Sequence, residues 1–205
     1  TVGASTVPAQ ALVPRLLADF ARQRPDCQFL LRRGDSARIH ELLREGQITV
    51  GFVGMRMDEK AFHYVPLAED HLVLAAENSP RIQSLPENAG LELLLHEPVL
   101  ARETDSGTWL ETEKWLRGQG IPPENLHILA RMENPDAIRQ AVARGMGVSV
   151  LSSLVVQEDA AAGRLRTFEL GRGAWRQLCM VLPKKTQLTG TQKAFAEFVR
   201  QSVHL

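Results

Sequence analysis

Eight consecutive residues, Arg102-Glu103-Thr104-Asp105-Ser106-Gly107-Thr108-Trp109, gather one guanidinium, two carboxylates, three hydroxyls and a glycine. Val99-Leu100-Ala101 ahead of them reads as the end of a strand, and Leu110 to Leu116 behind them as an amphipathic helix. A polar turn in that position directs the unsatisfied N–H groups of a helix N-terminus, together with nearby hydroxyls, at one spot. That chemistry suits a small anionic or polar ligand. The same residues also suit an ordinary helix start, with Ser106 or Thr108 as N-cap and Glu111 or Glu113 in the first turn. Three further turns share this character: Ser5-Thr6, Asp35-Ser36 and Asn134. In an open parallel sheet such turns lie along the carboxyl edge of the strands, where ligands bind. Two such blocks facing each other would make a cleft lined by helix N-termini.

Catalytic and metal chemistry find less support. The histidines are His40, His63, His71, His96, His127 and His204, none with a carboxylate or cysteine at ligand spacing, and each reads as a solvated or strand-edge side chain. Neither Asp35-Ser36 nor Ser106-Gly107 forms a G-x-S-x-G elbow. There is no Walker loop, and Gly145-Met146-Gly147 closes a helix instead of opening one. Glu111, Glu113 and Lys114 read as a solvated helix face, and Trp109, Trp115 and Trp175 as core or interface packing. We therefore expect no catalytic residues, no metal, no cofactor and no enzyme activity. Cys27 and Cys179 lack zinc-type spacing and read as two buried free thiols of a cytoplasmic protein, a disulfide being the alternative if the fold brings their strands together.

The elements that must position the polar turns follow from hydrophobic periodicity. The 205 residues suffice for one large domain or two small ones, 44% are hydrophobic, and 24 basic residues balance 24 acidic ones. A neutral chain carries no electrostatic footprint for nucleic acid or an anionic membrane, and no apolar run reaches the length of a membrane span. Thr1 to Ala4 reads as the tail of a strand. Leu12, Val13, Leu16, Leu17 and Phe20 form a helical stripe in which Pro14 predicts a kink or a late start. Cys27 to Leu31 reads as a strand, and a helix carrying Ile39, Leu42 and Leu43 ends at Gly46. A strand over Ile48 to Val53 completes a β-α-β-α-β block with parallel strands. Two extended runs, Phe62 to Leu67 and His71 to Ala76, follow, split by Ala68-Glu69-Asp70. A short helix over Gly90 to Leu95 precedes further αβ units: Pro98 to Ala101, Leu126 to Met132, a helix from Asn134-Pro135-Asp136, Val148 to Leu151, and a helix from Ser152-Ser153. Leu165 to Leu170 and Gln177 to Leu182 read as strands, and Thr189 to His204 as a closing helix with Phe195, Phe198, Val199 and Val203 on one stripe.

Taken in order, Gly3-Ala4-Ser5-Thr6, Val13 to Phe20, Gly34-Asp35-Ser36, Leu42 to Gly46, Val50 to Gly54, Glu69 to Ala75, Arg102 to Thr108, Asn134 to Ile138 and Gly145 to Ser152 resemble the effector-binding domain of LysR-type transcriptional regulators. The resemblance covers nearly the whole chain. It implies an α/β fold of the type 2 periplasmic-binding-protein kind: two Rossmann-like subdomains, residues 1–70 with 167–205 and residues 71–166, joined by two crossover strands around an effector cleft. It implies effector contacts at Ser5, Thr6, Gly54, Thr104, Asp105, Ser106 and Asn134, with a small metabolite or small anion as effector. It implies a homodimer or homotetramer, with the Leu12 to Phe20 helix as an interface element or simply core. DNA would be bound only through a winged helix-turn-helix that this chain, which starts abruptly at Thr1, lacks. A solute-binding protein of a transport system is the alternative, and an enzyme such as a dehydratase or deaminase a third. Asp105 stands where the family usually has glycine, and Trp109 where arginine often follows the threonine. Two charges about 4 Å apart interact by roughly 4 kcal/mol at an intermediate dielectric. Either Asp105 points to solvent, or the effector is neutral, amphoteric or cationic.

Overall fold

A computed structural model describes residues 1–188 and 190–202; the expected roles of Thr189, Val203 and His204 fall outside these described residues. The chain divides into unit 1, Thr1–Glu69 with Arg176–Leu205, and unit 2, Asp70–Trp175.

In unit 1 the strands β1 (Val2–Ser5), β2 (Leu31–Gly34) and β3 (Val50–Val53) are parallel, and β9 (Trp175–Pro183), whose first residue belongs to unit 2, runs antiparallel beside β3. The spatial order is β2-β1-β3-β9. Alternation along the strands explains two packed faces. Val50 and Phe52 of β3, with Met180 and Leu182 of β9, enter a core completed by α1 (Thr6–Ala11), α2 (Val13–Gln23) and α9 (Gly190–Ser202). Val53 and Val181 point the other way, onto Ile39, Leu42 and Leu43 of α3 (Ser36–Arg44). Phe20, Phe29, Phe195 and Phe198 form an edge-packed aromatic group in the first core.

Two expectations need correction here, and one is met. The apolar Cys27 to Leu31 run is not the strand: β2 begins at Leu31, because residues 31–34 match the register of β1, while Phe29 packs into the aromatic group without ladder pairing. As an outer strand, β2 can hold Arg32 and Arg33 in water. The Leu12 to Phe20 stripe lies along α2, which starts only at Val13 after a break at Leu12: the late start that Pro14 predicts, since Pro14 has no N–H to bond back and sits in the first turn. The two extended runs are one strand, β4 (Phe62–Glu77), in which the chain passes from unit 1 to unit 2.

In unit 2, β5 (Val99–Arg102) pairs in parallel with β6 (Ile128–Met132) and bridges β7 (Ser149–Ser152) in parallel through Val99 and Val148. β7 pairs antiparallel with β4, and β4 with β8 (Leu165–Glu169). Alternation again serves two faces. Leu72, Leu74, Val99 and Ala101 pack with α5 (Gly90–His96) and α6 (Gly107–Gly118), whereas Val73, Ala75 and Leu100 pack with α7 (Pro135–Ala143) and α8 (Ser153–Ala161). A short helix, α4 (Pro80–Gln83), lies between β4 and α5. Helices on both faces of a largely parallel array give each unit a doubly wound character.

Candidate functional site

Because β1, β2 and β3 are parallel, Ser5, Gly34 and the end of β3 share one edge of unit 1. Ser5 is buried at the N-cap of α1, but its hydroxyl caps nothing; Thr6 follows, half-buried, as the first helical residue. Asp35 is a working cap, its carboxylate accepting from the Arg38 N–H at 2.6 Å. Gly54 is buried where β3 ends. A methyl group there would meet the Arg176 guanidinium at 3.3 Å, so the side chain of Arg176, itself 6% exposed, lies flat against the glycine. Sequence reading missed Arg176, which looks like any strand-start arginine until β9 is placed beside β3.

The corresponding edge of unit 2 collects the ends of β5, β6 and β7, since these strands are parallel and Arg102 is level with Met132. Three helices begin there, and their caps differ. Asn134 is exposed, and its side chain accepts from the Asp136 N–H at 2.9 Å, so its oxygen is used within the turn. Ser152 is buried and donates to the Asp70 carboxylate at 2.5 Å. Ser106, at the N-cap of α6, is 3% exposed, and its hydroxyl neither caps the helix nor meets another partner among the described residues. Thr104 and Asp105 are exposed in the preceding turn, which the Ser106 N–H closes onto the Glu103 carbonyl at 3.1 Å. Asp105 is exposed.

Around Ser106 the charges are organised by contacts the sequence did not reveal, and by Arg131, which it did not single out. Arg102 is 3% exposed and forks onto Glu103 at 2.6 and 2.8 Å, cancelling both charges locally. Trp109 is buried, and its Nε1–H donates to Glu113 at 2.8 Å, so Glu113 is not merely a solvated helix residue. The Arg131 guanidinium lies over the Trp109 indole, 4.6 Å from its centroid, and donates to the Arg102 carbonyl at 2.9 Å. Trp115 is buried as expected, while Trp175 is 48% exposed.

His40 is a further correction. It is buried on α3, with Nδ1 2.6 Å from the Ser36 carbonyl and Nε2 2.6 Å from the Tyr64 hydroxyl, which it shares with the Met57 carbonyl. Burial holds the imidazole pKa below its usual value and pushes the Tyr64 phenol above its own. His63, His71, His96 and His127 are exposed. Cys27 and Cys179 are both free thiols, and burial raises the pKa of Cys179, which makes it a poor nucleophile. No group of three or more metal-binding side chains occurs among the described residues. No helix among them is long and apolar enough to cross a membrane. Three cavities of about 340, 540 and 670 Å³ lie within unit 1, and none of the expected site residues lines them.

Polar, helix-opening strand ends on two doubly wound units define an α/β ligand-binding domain. The LysR substrate binding domain matches residues 1–203, and the chain belongs to that family. It is 32% identical over 203 residues to a protein of Anaeromyxobacter dehalogenans named phosphonates import ATP-binding protein PhnC, covering 98% of this chain and 40% of that protein. It is 28% identical over 198 residues to an HTH-type transcriptional regulator of Methanocaldococcus jannaschii, covering 96% and 66%. The chain thus spans less than two thirds of the length of each. The regulatory domain of CcmR from Synechocystis PCC6803, solved in complex with 2-PG, superposes with a TM-score of 0.86 at 21% identity, over 98% of this chain and 95% of that one. The fold is that of LysR effector-binding domains, the type 2 periplasmic-binding-protein-like α/β fold.

Proposed function

We propose that this chain is the effector-sensing part of a LysR-type transcription regulator and holds a small molecule at its strand-end turns, chiefly at the N-terminus of α6. The observation that carries the reading is Ser106, a residue 3% exposed at a helix start that its hydroxyl does not cap. A hydroxyl that is not spent on the helix cap is left to donate to or accept from a ligand. Thr104 stands in the same turn, while Asn134 shapes the neighbouring helix start through its own cap. Ser5, Thr6 and Gly54 lie at the strand-end edge of unit 1. Asp105, being exposed, acts at the rim.

In this reading the domain is not an enzyme; it shifts a conformational equilibrium by binding one state better than another. It works in the cytoplasm as a homodimer or homotetramer, and a DNA-binding segment outside these 205 residues contacts the operator. The family match disfavours the solute-binding alternative. The test begins with native mass spectrometry of the freshly purified domain to identify a co-purified molecule, followed by calorimetry with that molecule. Ser106→Ala should weaken binding about tenfold, the value of one hydrogen bond near 1.4 kcal/mol. Unchanged affinity in both Ser106→Ala and Thr104→Ala would remove this turn from the site.

A further inference from the structure

We propose that the cavity of about 670 Å³ near the start of β3 is a second ligand site, separate from the strand-end turns, and that it takes an organic anion with an apolar body, such as an aromatic sulfonate or carboxylate. The inference does not depend on the reading of the α6 turn, because the cavity lies at the opposite edge of unit 1. β3 runs from Val50 to Val53, and Gly51 is level with Val181 of β9. Since these two strands are antiparallel, Pro183 and the residues after it leave the sheet where β3 begins, whereas Ser5 and Gly54 stand where the parallel strands end. α3 likewise starts just after Gly34, at the strand ends, and its far end brings Leu43 and Arg44 to the cavity.

Three segments meet there: the end of α3, the turn at residues 58–62, and the chain following β9. Bonds between the segments fix the frame. Arg44 pairs with Asp58 at 3.0 Å and lies over the Phe62 ring, 5.3 Å from its centroid. The Lys184 N–H donates to the Ala61 carbonyl at 2.9 Å, and its ammonium donates to the Glu59 carbonyl at 2.7 Å. Leu43 and Phe62, both buried, make an apolar floor, which half-buried Ala61 and Pro183 extend. Lysine stems add apolar surface and carry their charges to the rim. Those charges set the sign of the ligand. Arg44, Lys60, Lys184 and Lys185 line the cavity against one carboxylate, Asp58, which Arg44 already offsets. Lys184 is held by a neutral carbonyl, and Lys60 and Lys185 have no ion pair among the described residues. The acids at the end of α3, Glu41 and Glu45, are paired with Arg38. In a chain with 24 basic and 24 acidic residues, this is a local excess of positive charge over an apolar floor. Like charges held together repel, and an anion seated among them removes that repulsion. An apolar pocket of this size with a few convergent charges is the ordinary form of a small-molecule site.

Toluenesulfonate is the probe, followed by amide NMR of the native chain. It should move the signals of Arg44, Ala61, Lys184 and Thr186 on one saturation curve and leave those of Ser5 and Gly54 in place. Benzyl alcohol, which keeps the ring without the charge, and inorganic phosphate, which keeps the charge without the ring, should each bind about tenfold more weakly. Lys60→Gln combined with Lys185→Gln should weaken toluenesulfonate about tenfold, the value of two exposed charge contacts. Thr186→Glu, which sets a carboxylate on the lining, should weaken it as well. These three side chains are exposed, and probe-free spectra of the variants report that the fold survives. Affinity within twofold of native in the double variant overturns the proposal, as does a probe that moves Ser5 and Gly54 but not Ala61. Benzyl alcohol binding as tightly as toluenesulfonate overturns the assignment of charge. The native chain should stay in the supernatant when phosphatidylglycerol vesicles are pelleted; pelleting with them would make this face a membrane contact and overturn the small-molecule assignment. Ser106→Ala should leave toluenesulfonate affinity unchanged, so failure of the α6 reading and failure of this one are separately visible.

Discussion

The tryptophans offer a test of the packing in unit 2 in which the sign of the effect, not only its size, is decided by the structure. Trp115 lies in the α6 face of the core, and its Nε1–H is enclosed with no hydrogen-bond partner among the described residues. Sealing such a donor from water costs about 1–3 kcal/mol. Trp115→Phe removes the donor and keeps a ring, leaving a void of roughly 40 Å³ that costs about 1 kcal/mol at about 24 cal/mol per Å³. The net expectation is a stabilisation of roughly 0–2 kcal/mol, a rise in Tm of up to about 8 °C for a domain of this size. Trp109→Phe should do the reverse. Its Nε1–H bonds a half-buried carboxylate at 2.8 Å, and losing a hydrogen bond to a charged group costs about 1.5–3 kcal/mol. Trp175→Phe, at 48% exposure, should change stability by less than about 0.5 kcal/mol. Thermal unfolding followed by circular dichroism, with urea midpoints as a second measure, compares the three variants directly. If Trp115→Phe lowers Tm as far as Trp109→Phe does, the Trp115 donor has a partner in solution, such as an enclosed water, and the reasoning from an orphaned N–H is refuted.

Other variants probe the remaining features. His40 has a folded pKa below its ordinary 6.5, chiefly because burial disfavours the charged ring; its contribution to stability is therefore complete above 6.5 and lost as pH falls from there through the folded value. Tm measured from pH 8 to pH 5 should fall less steeply in His40→Gln than in the native chain, and an equal slope would show that His40 is not the titrating group. Gly147 has φ of +155°, and a Cβ would lie 2.2 Å from the Pro98 carbonyl oxygen. Gly147→Ala should thus cost at least about 3 kcal/mol, visible as a lower urea midpoint. Asp35→Ala removes the α3 cap and should cost about 1 kcal/mol, read as a modest loss of Tm without change in the far-ultraviolet spectrum.

The sequence by itself determined the order of elements and the places where helices start. Those follow from periodicity and local chemistry: Leu72 and Leu74 alternate with Val73 and Ala75 onto two cores, and Asp35 and Asn134 cap the helices they precede. Both are short-range effects, complete within a few residues of the chain. Three things were settled only by tertiary structure. Pairing with β1 chose Leu31–Gly34 over the more apolar residues before it. Packing of α3 enclosed His40, whose neighbours in sequence gave no hint of burial. The meeting of β5, β6 and α6 distinguished Ser106, whose hydroxyl stays unpaired, from Asn134, whose oxygen is already used, and set Arg131 on Trp109. Residue types mark the turn at Arg102 to Trp109 as polar. Which of its groups is left to bind something depends on partners brought in from other strands, and pairing across a sheet is a property of register and packing that no local pattern encodes.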